Sequence, residues 1–145
     1  MKWNVIETEE QAYEFNKMYS YFCDSFIKEA KYESGNYLNK KLEEVAYVEH
    51  KLYVIFQRTE PELSSIEMVF EGLERMSYIP LPKNCIPYYD YAKIGIWNNK
   101  VYFNVWEDFN PAIPEHWNEA EQTMVLATKL KWRIAEEYLG KDKIY

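Results

Sequence analysis

The segment Lys51–Arg58, KLYVIFQR, is dense in β-branched and aromatic side chains and stops at Thr59-Glu60-Pro61. Such residues fit a pleated, half-buried sheet surface, and the turn-forming residues behind them close a strand. Ser65 to Glu71 sets Ile66, Met68 and Phe70 against Glu67, Val69 and Glu71, a period of two that predicts a neighbouring strand. One face of that strand is largely acidic, and Gly72 is expected to end it. Leu73 to Ile79 reads as a third short strand, stopped by Pro80 and Pro82, which cannot donate to a ladder. Tyr91–Trp97 and Lys100–Trp106 flank Asn98-Asn99, two residues that tolerate positive φ, and this is a hairpin signal.

One helix precedes the strands. Thr8 and Gln11 have capping-box spacing, and Glu9 and Glu10 suit the positive end of a helix dipole. Ala12, Phe15, Tyr19 and Phe22 recur at helical spacing, which predicts a helix over Glu9–Phe22 with one buried stripe. Two segments fit either template. Ser25–Glu33 extends the helix or forms a strand with Phe26, Ala30 and Tyr32 on one face, ending at Gly35-Asn36 in both cases. In Gln122–Arg133, Leu126, Leu130 and Ile134 make an i+4 row, while Leu130, Trp132 and Ile134 alternate with Lys129, Lys131 and Arg133. Glu136 to Gly140 suggests a single helical turn. The expectation is one α+β domain over residues 1–145, with the N-terminal helix packed on a mainly antiparallel sheet of about five to seven strands, one side solvated.

The charge balance narrows the function classes. Net charge is −7, from 24 acidic and 17 basic side chains. That is a poor footprint for phosphate neutralisation on nucleic acid or for an anionic membrane. It suits solubility, or the steering of a basic partner. The 14 Tyr, 7 Phe and 5 Trp supply core and strand packing, and Tyr and Trp also serve at partner-facing surfaces. MKWNVIETEE turns acidic where a secretion signal needs an apolar run, and Cys23 and Cys85 have no CxxC spacing. A cytoplasmic protein with buried, reduced thiols is expected.

Catalytic signatures are sparse. The four glycines are too dispersed for a phosphate-cradling loop. His50 and His116 have no second His or Cys at ligand spacing, so no metal and no cofactor are expected, and both read as surface residues. A triad assembled across the sequence stays open. Glu107-Asp108 beside Trp106 is the most site-like acidic cluster, and Asp90 lies among Tyr88, Tyr89 and Tyr91, where an acid between rings suits a cation or a sugar. With Glu67 and Glu71 these residues make an acidic, aromatic surface suited to capturing a basic protein. A pocket near Trp97, Trp106 and Glu107, in a small enzyme or a small-molecule carrier, is the competing reading.

Tyr21-Phe22-Cys23-Asp24-Ser25, followed by Lys28-Glu29-Ala30-Lys31-Tyr32-Glu33-Ser34-Gly35, resembles the opening of a family of small bacterial proteins. These begin with an "FHDS" element running into a strand that ends in Ser-Gly. Leu52 to Gln57, Ile66 to Gly72 and Leu130 to Arg133 also resemble that family. Similar openings occur in immunity proteins of bacterial polymorphic toxin systems, which bind a cognate toxin rather than catalyse. The resemblance implies a strand after Ser25, a strand near Lys129–Ile134, and a toxin–antitoxin role with a basic toxin domain as partner. Cys23 stands where the family has His, so any role of that imidazole is absent or different. Asp24 matches and is expected to cap or to bond within a turn. A regulatory or phage-encoded inhibitor shares the same surface logic.

Overall fold

The computed structural model describes residues 2–46, 49–83, 86–119 and 122–145. Helix α1 (Glu9–Met18) starts at the predicted cap: the Gln11 N–H donates to the Thr8 hydroxyl at 3.1 Å, and the Thr8 N–H donates to the Gln11 side chain at 3.1 Å. It ends short of Phe22, although Ala12, Phe15, Tyr19 and Phe22 are all buried as the stripe predicts. The last two reach the core by a different route. Ser20, Tyr21 and Phe22 have φ of 54°, 49° and 58°, so the chain turns through the left-handed region in a 3-10 turn at Ser20–Phe22. An L-residue pays about 1–2 kcal/mol for each such conformation.

Buried aromatic surface and backbone hydrogen bonds offset that strain. Phe22 is fully buried, and its ring packs 5.0 Å from Tyr19 and Phe56 and 5.1 Å from Phe103. Burying such a side chain stabilises by about 1.5–3 kcal/mol. The turn is also tied to residues 89–92. The Asp24 N–H donates to the Tyr89 carbonyl at 2.9 Å, the Tyr89 N–H to the Ser25 carbonyl at 2.8 Å, and the Ala92 N–H to the Tyr21 carbonyl at 2.9 Å.

The main sheet is antiparallel throughout, in the order β2 (Ser25–Glu33), β5 (Lys51–Arg58), β6 (Ser65–Ser77), β9 (Met124–Ile134), β8 (Lys100–Asn104), β7 (Lys93–Trp97). Strand β1 (Asn4–Ile6) pairs with the far end of β9, while β3 (Tyr37–Leu38) and β4 (Glu44–Val45) form a separate ribbon. Ser25–Glu33 and most of Gln122–Arg133 are therefore strands. Asn98 and Asn99 take φ of 51° and 60° between β7 and β8, the paired positive-φ geometry of a tight hairpin. The bridge from Ser25 to Tyr89 brings the segment before β7 against β2, so the sheet's two edges approach each other.

Gly72 does not end a strand. Strand β6 continues to Ser77, absorbing most of the segment expected as a third strand. At Gly72 φ is +65°, and a Cβ there would lie 2.0 Å from Thr128 Oγ1, whose hydroxyl donates to the Glu71 carbonyl at 3.0 Å. Glycine lets β6 bend past the start of β5, where Glu71 opposes Lys51, and follow β9 onward.

The first sheet face, with Val54, Phe56, Met68, Phe70 and Leu130, packs beneath α1 and the left-handed turn. The second face is not the solvated acidic surface that the alternation suggested. Its C-terminal segment folds back over it: Lys28 Nζ donates to the Tyr138 and Gly140 carbonyls at 2.7 Å, and the Ile144 N–H donates to the Glu29 carboxylate at 2.8 Å. The Tyr145 hydroxyl donates to Glu67.

Ser20 is exposed, so its cost is almost purely conformational. Ser20→Gly should raise the unfolding free energy by about 1 kcal/mol, and Ser20→Val should lower it, as read by urea denaturation.

Candidate functional site

The segment clamped to the left-handed turn builds one wall of a cleft of about 970 Å³. Asp90, Tyr88, Tyr91 and Glu107 line this wall, with the buried Tyr89 behind them. The apolar part of the lining is Ile79, Pro80, Leu81, Pro82 and Ile86. Among the described lining residues two are acidic and none is basic.

Tyr21 stacks on Tyr91 with ring centroids 5.7 Å apart and an interplanar angle of 13°. The Ala92-to-Tyr21 backbone bond sets that stack, so the strained turn is what aims Tyr21. Both rings also border a smaller hollow of about 310 Å³ against α1. Burial, then the neighbouring Tyr21 and the Glu107 carboxylate, raise the Tyr91 pKa. Cys23 is exposed beside this wall, a correction to the buried thiol expected there. Desolvation, the Asp24 and Asp90 carboxylates and a hydrogen bond to Asp24 raise its pKa, which keeps the thiol protonated and poorly nucleophilic. Asp24 therefore takes the thiol; the side-chain bond within the turn comes from Ser25, whose hydroxyl donates to the Phe22 carbonyl at 2.6 Å. Cys85 lies outside the described residues.

The predicted site residues separate into groups. Asp90 and Glu107, far apart in sequence, line the same cleft. Asp108 is exposed beside Glu107 but is not part of the lining. Trp106 is half-buried, its ring 4.4 Å from His116 and 6.4 Å from Phe109, facing an aromatic cluster instead of the cleft. Trp97 packs on Trp117 at 5.6 Å in that cluster. Of the three residues expected around a pocket, Trp97 and Trp106 thus pack into that cluster and Glu107 lines the cleft. His116 is half-buried, and its Nδ1 accepts from the Asn110 N–H at 2.9 Å. His50 Nδ1 lies 2.6 Å from the Tyr32 hydroxyl.

Glu67 and Glu71 sit elsewhere. Glu67 is only 6% exposed and opposes Arg133, near the other end of β9 from Thr123, which lines the cleft. Arg133 Nε donates to it at 2.9 Å, and Arg133 also pairs with Glu137. Glu71 pairs with Lys131 at 3.2 Å. The cause is register: Glu67 directly opposes Arg133, and Glu71, opposite Lys129, reaches diagonally to Lys131, so acids and bases neutralise each other on one face. Glu67 is a structural counter-ion, not a contact surface.

Tyr21 and the apolar wall were missed by sequence reasoning. Pro80-Leu81-Pro82 was visible as a loop, but nothing local tells which loop it faces. Among the described residues, no three His, Cys, Asp or Glu side chains converge in a group that could hold a metal ion, and no helix is long and apolar enough to cross a membrane. Comparison with known protein families, with curated proteins and with solved structures returns no match to this chain.

Two measurements follow from these environments. Glu67→Ala leaves the buried Arg133 short of its main partner, so it should cost about 3 kcal/mol of stability in urea while leaving the cleft intact. Burial pushes Tyr89 and Tyr102 up to about 12 from an ordinary value of 10.0. The folded state holds those protons where the unfolded chain has released them, so their stabilisation is complete below pH 10 and lost between pH 10 and about 12. The urea midpoint should fall across that window, and less steeply in Tyr102→Phe.

Proposed function

We propose that the protein is a non-catalytic binding module that captures a basic protein at this cleft, as an immunity-like inhibitor of a bacterial toxin. The supporting observation is the cleft lining: two exposed carboxylates, three tyrosines and an apolar wall with no described basic residue, in a chain of net charge −7. Carboxylates steer a cationic partner and raise its association rate, while tyrosines supply anchoring area at low entropic cost. The resemblance at Phe22-Cys23-Asp24-Ser25 supports the same reading, since Asp24 and Ser25 are bonded to Tyr89 of the cleft lining. The raised Cys23 pKa and the packing of Trp97 and Trp106 into a ring cluster favour binding over turnover.

A toxin encoded beside this gene is the partner to test. Co-expression should restore growth of cells making the toxin, and Asp90→Lys combined with Glu107→Lys should weaken the complex by at least about a hundredfold at low salt. Failure of the unaltered protein to bind or to protect would overturn the proposal.

A further inference from the structure

Resting on that reading, we infer that the segment of the partner entering the cleft is amphipathic and cationic, with Lys or Arg along one side and large apolar residues along the other. The two parts of the lining call for different chemistry. On one, Ile79 is held by Thr123: the Ile79 N–H donates to Thr123 Oγ1 at 3.0 Å, and the hydroxyl donates back to the Ile79 carbonyl at 3.3 Å. This side shows water large apolar side chains; Ile86 is 65% exposed, and Ile79 is exposed as well. Neighbouring exposed apolar side chains mark a contact surface. The rest of the lining offers Asp90 and Glu107 beside the rings of Tyr88 and Tyr91, a setting that receives an ammonium or guanidinium through carboxylate bonds and ring faces.

No single-character occupant satisfies both parts. A uniformly basic, hydrophilic segment leaves Ile79, Leu81 and Ile86 facing water. A purely apolar one desolvates Asp90 and Glu107 without giving them a partner. A second copy of this chain brings the same acidic lining and another net charge of −7 against the first. Charge complementarity and the apolar wall together select a segment with both characters, which is the groove mode of recognition. Ile79 is held by the Thr123 hydroxyl, and the Tyr89 segment by its backbone bonds to Asp24 and Ser25, which lowers the ordering entropy that opposes binding at those two points.

The test uses a synthetic peptide of Lys and Leu at amphipathic-helix spacing, with two controls: Ser for every Leu, and Glu for every Lys. Calorimetric titration at low salt, with amide NMR of the labelled protein, should show the Lys/Leu peptide binding and shifting the signals of residues 86–91. Each control should bind at least about tenfold more weakly. Ile86→Ser should lower affinity for the Lys/Leu peptide about tenfold with no change in melting, and Asp90→Asn with Glu107→Gln should flatten its salt dependence. Absence of binding by the Lys/Leu peptide, or shifts confined to other surfaces, overturns the inference, and the co-expression assay then judges the toxin-capture reading separately. Equal binding of the Lys/Ser peptide overturns the apolar half of the inference while leaving a basic partner in place. Equal binding of the Glu/Leu peptide removes both.

Discussion

The burial of Phe22 is the constraint from which the cleft derives. Its ring sits among Phe15, Tyr19, Phe56 and Phe103 at the centre of the first sheet face, only four residues past the end of α1. A helix continued to that point would carry the chain onward along α1, whereas β2 must start at Ser25 and pair with the end of β5. Three successive left-handed residues reverse the direction within that short span. The strain is tolerated because a fully buried aromatic cluster and three backbone bonds to Tyr89 and Ala92 over-determine the turn. Those same bonds place Tyr21 on Tyr91 and hold Tyr89 in the cleft lining, so a packing demand in the core fixes that surface.

A second constraint operates on the opposite face. Strands β6 and β9 carry acids and bases that meet in register, and the C-terminal segment covers the buried Glu67–Arg133 pair through Tyr145. Such a pair contributes little net stability against an apolar substitute, but removing one member leaves a buried charge exposed to its full desolvation cost. The face is therefore committed to holding the fold. Acidic residues in this chain divide accordingly: those on β6 are neutralised internally, while those on loops around the cleft stay exposed.

Much of the fold was legible in the sequence. The capping box, the strand Lys51–Arg58 and the Asn98-Asn99 hairpin rest on local chemistry, and the structure reproduces them because nothing distant competes. Ser25–Glu33 and the β9 segment were ambiguous by periodicity, since short amphipathic runs satisfy both templates, and pairing with β5 and β6 decides them. Tyr19 and Phe22 lie on a helical stripe and are buried, yet only Tyr19 directly follows α1; spacing reports burial, not backbone path. The site was legible in part. Asp90 among tyrosines and Glu107 after the hairpin were visible, but their convergence depends on how the sheet curls. Glu67 was misplaced because alternation identifies a face without revealing what covers it.

Hydrogen–deuterium exchange of the protein alone and in complex with the proposed toxin partner tests the account most directly. Partner binding at the cleft should slow exchange in residues 20–24 and 86–92 and leave residues 65–71 and 129–134 unchanged. Protection concentrated on β6 and β9, with the cleft exchanging as in the free protein, would contradict it.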